Sequence, residues 1–469
     1  MRDLIIVGIV VLGSLIALRR PWIGIMLWTW LSIMNPHRFT WGFAFYFPVA
    51  AMSAACTLLG FIATKDKSNP VKGAPVVWLL LFMVWITLSW LMGLDPKYDY
   101  PQWDKVMKIY LMIIIGLALL HSKEHILLLV WVSAGSLALL GVKGGLFTVA
   151  TGGSYRVWGP PGSFIQDNNE FALSLIMTIP LLRFLQLQLA SKWGRHAMTL
   201  SMLLCAAAAL GTHSRGALLA MTAMVLVLWW RGKSRMLGGV VMLVAGVALI
   251  SFMPDEWMQR MSTIDDYQED RSAVGRISAW WNAWGIAQVY PFGVGFHAAR
   301  SELFERFSPY PDYVHAAHSI YFQVMGNHGF VGLFIFLGIF VSTYWAAGRL
   351  RAQSRVHPAA TWCDSLGAMC QVSLIGYAVG GAFLSLSYFD LPYNVMTAVV
   401  LARLWIFKRT WEQEPPWREG RWAVPGINGP MPRPPVAPVA PSTAAAHLPA
   451  QQFLQPHPSQ PKPVQRPPR

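Results

Sequence analysis

Charged residues are scarce in this sequence. Asp, Glu, Lys and Arg make up 13% of the 469 residues, and hydrophobic residues make up 55%, whereas an average soluble domain is about 25% charged. The scarcity of charge excludes an ordinary water-soluble globule. The apolar residues fall in runs of roughly 16–25, enough to cross a hydrocarbon layer of about 30 Å as helices. The sequence therefore predicts an all-α polytopic integral membrane protein.

Cysteine is also scarce. The four cysteines form no Cys-x-x-Cys pair, and each lies in or beside an apolar run: Cys56, Cys205, Cys363 and Cys370. This pattern favours reduced packing residues over a disulfide framework or a zinc site. The connections that are predicted below to face outward contain no Asp-x-Asp pair, and Asp265 and Asp266 lie in an acidic run typical of a solvated face. We therefore expect no metal and no cofactor.

Thirteen apolar segments can be identified, of which the first two are short, so that about 12 transmembrane helices are expected. The segments lie near residues 4–18, 21–34, 43–63, 74–93, 106–120, 126–149, 170–190, 197–211, 216–230, 236–253, 318–346, 366–387 and 392–407. The predicted organisation is N-terminal transmembrane helices in 1–253, one large loop with amphipathic helices in 254–317, C-terminal transmembrane helices in 318–410 and a disordered Pro/Ala-rich tail in 411–469.

Basic residues concentrate in alternate connections, although the net charge of +15 alone would also suit nucleic-acid binding. The strongly basic connections contain Arg19 and Arg20; Lys65, Lys67 and Lys72; Lys123; Lys192 and Arg195; Arg231, Lys233 and Arg235; Arg349, Arg351 and Arg355; and Lys408 and Arg409. By the positive-inside rule these face the cytoplasm. The loop 254–317 then faces outward. Basic residues spread in this way indicate contacts with membrane lipids and no nucleic-acid partner.

The outward connections contain a small set of polar candidates. Arg215 lies in a short polar step between two apolar segments, where an unpaired charge is costly. Arg276 and Trp280 are four residues apart, which puts them on one face of a predicted interfacial helix, continued by Trp284. His318 opens the apolar segment after the loop, with His315 before it and Tyr321 after it. Singly, each residue also fits a structural or headgroup-contacting role.

One more outward loop, from Ser154 to Glu170, is rich in Gly and Pro and opens a helix with Asp or Asn as N-cap. Its Arg156 and backbone amides are suited to bind a sugar or a phosphate. We expect Arg156, His315, Tyr321 and Trp280 to contact substrate.

The motifs at these positions resemble the O-antigen ligase superfamily. They are Ser214-Arg215-Gly216, Gly275-Arg276 and His318-Ser319. The family commonly has Asn after that histidine and Glu-x-Gly further on, where this chain has Ser319 and Asn327-His328-Gly329. The stretches 35–42, 141–145 and 153–162 look closest to an exosortase-associated branch described as O-glycosylation ligases. The similarity extends over most of residues 1–410.

This resemblance implies about twelve transmembrane helices in a bacterial inner membrane, with the active site facing the periplasm. It implies a metal-independent, inverting transfer of a glycan from undecaprenyl diphosphate to lipid A core oligosaccharide or to a protein hydroxyl. Arg215 and Arg276 are expected to hold the departing diphosphate, because a guanidinium pairs with phosphate oxygens two at a time. His318 is the expected general base.

Two other functions remain open from the residues alone. An O-antigen polymerase uses a similar donor and also carries outward arginines and large loops. A transporter of lipid-linked or anionic sugars would place polar residues at mid-membrane and show internal repeats, and this sequence has no evident repeat.

Overall fold

The computed structural model describes residues 2–231, six positions between 236 and 247, and residues 271–414; the side chains of Arg231, Arg271 and Ser272 are outside the description. The six positions are Met236, Gly239, Val240, Val244, Gly246 and Val247. The apolar segment predicted at 236–253, apart from these positions, and the first part of the loop up to residue 270 therefore lie outside the described residues. So does most of the predicted tail, from residue 415 onward.

The described residues contain helices and no strand. The α-helices are α1 (Arg2–Arg19), α2 (Pro21–Met34), α3 (Val49–Ala63), α4 (Ala74–Leu91), α5 (Pro96–Leu119), α6 (Lys123–Ala150), α7 (Asn168–Gln188), α8 (Lys192–Gly211), α9 (Arg215–Arg231), α10 (Arg271–Val289), α11 (Ser301–Phe307), α12 (Ile320–Ser354), α13 (Thr361–Gly381) and α14 (Asp390–Phe407). Short 3-10 turns lie at Pro36–Phe39, Phe43–Phe45, Pro358–Ala360 and Thr410–Glu412. The predicted all-helical fold is confirmed for these residues.

Four of these helices, α4, α6, α7 and α12, are long and apolar enough to cross a membrane. Three shorter helices, α2, α3 and α9, are also apolar. The expected number of about twelve spanning helices remains a prediction.

Local sequence signals set several helix starts. Asp95, Ser122 and Asp167 each accept a hydrogen bond from a backbone N–H of the first turn that follows, as N-cap side chains do. The N-cap predicted before Glu170 is thus confirmed at Asp167.

Contacts between connections define two ends of the helix bundle. At the His318 end, the first turn of α5 meets the 290–298 connection, where Phe296 N donates to Asp99 Oδ2 at 2.7 Å. At the opposite end, Ser68 N donates to Ala118 O at 2.9 Å, and Lys123 N donates to Glu414 Oε1 at 3.1 Å. The predicted cytoplasmic connections around Lys72, Lys123 and Lys408 lie at this opposite end.

The segment predicted at 366–387 differs from the structure, because α13 ends at Gly381. Residues 382–389 form an apolar, buried loop that turns back across the His318 end. Ser387 Oγ donates to Ile320 O at 3.2 Å and to Gln323 Oε1 at 2.8 Å. These hydrogen bonds attach the loop to the first turn of α12.

Candidate functional site

His318 lies at the entry to α12, two residues before the helix begins. Its backbone has φ of +41°, a left-handed conformation that is uncommon for a residue with a side chain. Its Nδ1 lies 3.6 Å from Oε1 of Glu170, and 19% of its side chain is exposed. The imidazole therefore faces a carboxylate on one side and retains limited access to the surroundings.

Glu170 is supplied by the first turn of α7 and is buried. Its Oε1 accepts a hydrogen bond from Ser385 N, in the 382–389 loop, at 3.2 Å. Three buried atoms here make no hydrogen bond within the described residues: Glu170 Oε2, His318 Nδ1 and Ser319 Oγ. Buried polar atoms are nearly always satisfied in folded proteins, so their clustering points to a functional site.

Asp167 places a second carboxylate one helical turn before Glu170. Burial tends to raise the pKa of Asp167, but the contact with Glu170 and the hydrogen bonds from Asn169 outweigh it and hold the pKa below its ordinary value. The His318 ring thus lies near two carboxyl groups, of which Asp167 is held ionised.

Arg215 is the first residue of α9, directly after the turn from α8. The turn is fixed to the 151–167 loop and to α7, because Asn168 Nδ2 donates to Thr212 O at 2.7 Å and Val157 N donates to Gly211 O at 3.0 Å. A Cβ on Gly216 would lie 3.1 Å from Cβ of Phe383. Arg215 therefore starts its helix beside the same 382–389 loop that contacts Glu170.

Helix α10 brings Arg276 and Trp280 to this end. A Cβ on Gly275 would lie 3.3 Å from Cδ2 of His315, whose ring centroid is 4.9 Å from that of His318. Trp280 Nε1 donates to Ala317 O at 2.8 Å. The helix that carries Arg276 thus holds the 315–318 segment in place.

The tryptophans of the predicted helix face on α10 have different surroundings in the structure. Trp280 stacks on Phe322 of α12 at a centroid distance of 4.9 Å, whereas Trp281 and Trp284 are 54% and 44% exposed. Trp280 therefore packs against α12 and fixes the segment before His318, and the outer aromatic face is formed by Trp281 and Trp284. The expected contact of Trp280 with substrate stays a prediction.

The remaining predicted residues lie at the border of the site. Tyr321 donates its hydroxyl to Ala378 O at 2.7 Å, which ties α12 to α13. Arg156 is exposed in the 151–167 loop. Its neighbours fix that loop to the α8–α9 turn, since His213 Nε2 is 2.8 Å from Gly153 O. Arg156 is thus held near the turn that precedes Arg215.

Further cations flank the same loop: Arg38, which lies in the 35–42 stretch, and Lys105, which no sequence motif indicated. Lys105 Nζ lies 3.8 Å from the centroid of the Phe164 ring, and a Cβ on Gly162 would lie 3.4 Å from Cζ of Arg38. Burial and the neighbouring Arg38 lower the pKa of His37 to about 4. The face around the loop is therefore cationic and suited to anionic groups.

The described residues contain no group of three or more His, Cys, Asp or Glu side chains placed to hold a metal ion. The chemistry available to this part of the chain is that of an imidazole, two carboxyls and several guanidinium and ammonium groups.

Sequence reasoning identified His318 and missed its partner. Glu170 follows the predicted N-cap, and nothing in its local pattern relates it to a histidine 148 positions later. The only signal available was an acidic residue in the first turn of an otherwise apolar helix, where it is expensive to bury.

Comparison with protein families agrees with the motifs. Residues 200–337 match the family described as O-antigen ligase, and residues 1–190 match a family described as being of unknown function. No curated protein matches the chain. The apolar helices and the matched family indicate a multi-pass membrane protein, and the family that matches residues 200–337 is one of glycosyltransferase-like ligases. The predicted resemblance to the O-antigen ligase superfamily is thus confirmed for residues 200–337. The resemblance to the exosortase-associated branch stays a prediction.

Proposed function

We propose that this protein transfers a glycan from undecaprenyl diphosphate to an acceptor hydroxyl at the periplasmic face of the bacterial inner membrane. The observation that carries the proposal is the pairing of His318 with the buried Glu170, 3.6 Å apart, beside the helix starts that supply Arg215 and Arg276. The family match supports ligase or polymerase chemistry for the region that contains all three of His318, Arg215 and Arg276.

The reaction requires one proton acceptor and cations for the leaving group. The acceptor oxygen forms a bond to the anomeric carbon from the face opposite the diphosphate, and the bond from that carbon to the phosphate oxygen breaks. Its electron pair leaves on the diphosphate, and the hydroxyl proton passes to the base. Inversion at the anomeric carbon follows from this single displacement.

His318 takes the proton on Nε2 in this proposal. Its Nδ1 faces Glu170, so a hydrogen bond to the carboxylate would fix the tautomer that leaves Nε2 able to accept. The 3.6 Å separation is longer than a hydrogen bond, and catalytic hydrogen bonds commonly tighten only when substrate is bound. Glu170 then also stabilises the imidazolium that forms.

Arg215 and Arg276 bind the diphosphate. Guanidinium groups stay protonated and match phosphate oxygens in pairs, so they can stabilise the charge that grows on the leaving group without a divalent ion. Arg156, Arg38 and Lys105 would extend this cationic face towards the glycan or the outer phosphate. His315 would contact the acceptor next to His318.

The acceptor distinguishes the branches of the family. If the acceptor is lipid A core oligosaccharide, the protein is an O-antigen ligase. If it is a protein hydroxyl, the protein falls in the O-glycosylation branch suggested by the 35–42 and 153–162 stretches. If it is a second lipid-linked glycan, the protein is a polymerase. We favour a protein acceptor because those stretches lie in the region that borders the site through Arg38 and Arg156.

The test is an in vitro reaction of purified protein with lipid-linked glycan and each of the three acceptors in turn. We expect one acceptor to be modified by the wild type. His318→Ala should lower the rate by at least about 10²-fold, the usual contribution of a general base, and Arg215→Ala by about 10²–10³-fold.

Both variants should insert and elute as the wild type does. Full activity of either purified variant would contradict the assigned roles. Flux of the glycan across vesicles without formation of a new glycosidic bond would instead indicate a transporter.

A further inference from the structure

Two adjoining cavities lie at the end of the bundle opposite His318. The larger has a volume of about 440 Å³ and is lined by residues from α5, α14 and the 64–73 connection, including Lys72 and Lys408. The smaller, of about 140 Å³, shares Lys72 and adds Arg403. Helix α14 separates them from the site by its own length, which is about 27 Å at 1.5 Å per residue.

The cations of these cavities are not matched by carboxylates. None of the residues that line either cavity is acidic, and Arg403 Nε is buried without a hydrogen-bond partner among the described residues. Asp66 and Glu414 lie at the border, but Asp66 faces His121 at 3.6 Å and Glu414 accepts from Trp405 Nε1 at 3.0 Å.

Lys72 and Lys408 repel each other in this arrangement. Burial and the neighbouring Lys408 lower the pKa of Lys72, as expected where an ammonium is partly removed from water beside a like charge. Such a pair is stabilised when an anion lies between the two groups. The geometry of the larger cavity thus suits a phosphate.

The walls of the cavities are apolar. Leu401 and Leu404 line the larger cavity and Leu404 and Phe407 the smaller. Phe407 is 85% exposed and is the last residue of α14, directly before Lys408. A hydrocarbon chain bound along this face would be covered by the same residues that border the cations. Free phosphate would make no use of them.

We propose that these cavities bind an acidic phospholipid, with its headgroup phosphate between Lys72 and Lys408 and an acyl chain along Leu404 and Phe407. Arg403 extends the site from the second cavity towards the same headgroup. Basic pockets between helix ends are a recurrent form of lipid-headgroup site. The site is separate from the glycan chemistry and serves to bind the protein to acidic lipid.

The test compares two double variants of the full-length protein, purified in detergent. Lys72→Gln with Lys408→Gln removes the proposed phosphate ligands. Lys65→Gln with Lys192→Gln removes the same charge from connections at the same end that line neither cavity. Binding of phosphatidylglycerol and of phosphatidylcholine is measured for each by native mass spectrometry, with inorganic phosphate as a third ligand.

We expect the wild type and the Lys65/Lys192 variant to retain phosphatidylglycerol in preference to phosphatidylcholine. The Lys72/Lys408 variant should bind phosphatidylglycerol roughly thirtyfold more weakly, from the usual contribution of two basic side chains at a lipid surface. Equal losses in both double variants, or equal binding of the two lipids, would overturn the proposal.

The measurement with inorganic phosphate distinguishes a lipid headgroup from free phosphate as the bound anion. If millimolar phosphate without lipid raises the melting temperature of the wild type as much as phosphatidylglycerol does, the site is a free-phosphate site and the lipid proposal is wrong. If the Lys72/Lys408 variant does not fold, Lys72→Gln alone, in a non-helical segment, gives the same comparison against Lys65→Gln.

Discussion

Glu170 lies between a histidine and a second carboxyl group, and its environment determines what His318 can do. Oε1 of Glu170 accepts a hydrogen bond from Ser385 N and faces His318 Nδ1. A carboxylate in this position orients the ring and stabilises its protonated form. Asp167 is held ionised beside it and adds negative charge near the imidazole, but only Glu170 faces the ring nitrogen.

Replacing Glu170 by Gln should slow the transfer without unfolding the protein. Glutamine preserves the shape and can still accept from Ser385 N, but it loses the charge that stabilises the imidazolium. We expect kcat to fall by about 10²-fold with little change in KM, measured with saturating lipid-linked donor.

The control for this variant is Asp312→Asn, which removes an exposed carboxylate from the segment before His315. Its kcat should match the wild type. A Glu170→Gln enzyme with unchanged kcat, or one with a melting temperature that falls in parallel with activity, would show that Glu170 has only a structural role.

At the scale of elements, a break in α12 holds the connection after α10. Gly329 has φ of +70° and ψ of −177°, so the helical hydrogen-bond ladder is interrupted there. Asn327 O then accepts from Gly295 N at 3.1 Å and from Ser89 Oγ at 3.0 Å, and His328 O accepts from Trp85 Nε1 at 2.8 Å. The break thereby joins α4, α12 and the connection that follows α10.

Gly329→Ala should destabilise the protein by at least about 2–3 kcal/mol, because its φ/ψ combination is almost confined to glycine. An added Cβ would also meet Pro291 O. The measurement is the midpoint of thermal unfolding, with Gly135→Ala in α6 as the control. A Cβ at Gly135 meets nothing within 4 Å, so this control should be neutral or slightly stabilising. Equal stability of the two variants would contradict the role assigned to the break.

The elements differ in how far the sequence predicts them. The start of α12 after His318 and the helix around Arg276 follow from hydropathy and spacing, and both are present. The loop at 382–389 does not follow, because Leu384, Leu386 and Phe389 are as apolar as a membrane segment. In the structure the intervening Ser385 and Ser387 hydrogen-bond to Glu170 and to α12 instead. Glu170 itself could not be paired with His318, since only the folded arrangement of α7, α12 and this loop brings them together.

At the scale of the whole molecule, the cations of the site come from the chain itself. In the proposed reaction Arg215 and Arg276 stabilise the charge on the leaving group. Activity should therefore persist in excess chelator, measured as transfer rate before and after prolonged treatment with EDTA. Loss of activity that a divalent ion restores would show that a metal takes part.

Both matched regions supply residues to the candidate site. Glu170, Arg38 and Lys105 lie in residues 1–190, and Arg215, Arg276 and His318 lie in residues 200–337. They are also joined by packing: Asn168 Nδ2 donates to Thr212 O at 2.7 Å, and Gly141 on α6 abuts Cys205 on α8. The region of unknown function is therefore expected to be indispensable for transfer.

A chain divided at the non-helical residues 189–191 between α7 and α8 tests this dependence. Fragments 1–190 and 191–469, expressed together, should assemble and transfer glycan, because the buried faces of α6, α7 and α8 still meet. Fragment 191–469 alone should be inactive, since it lacks the carboxylate that faces His318. Transfer by that fragment alone would contradict a shared site. A second assembled pair carries Glu170→Gln in fragment 1–190. If this pair forms but is inactive, the contribution of residues 1–190 depends on this one side chain.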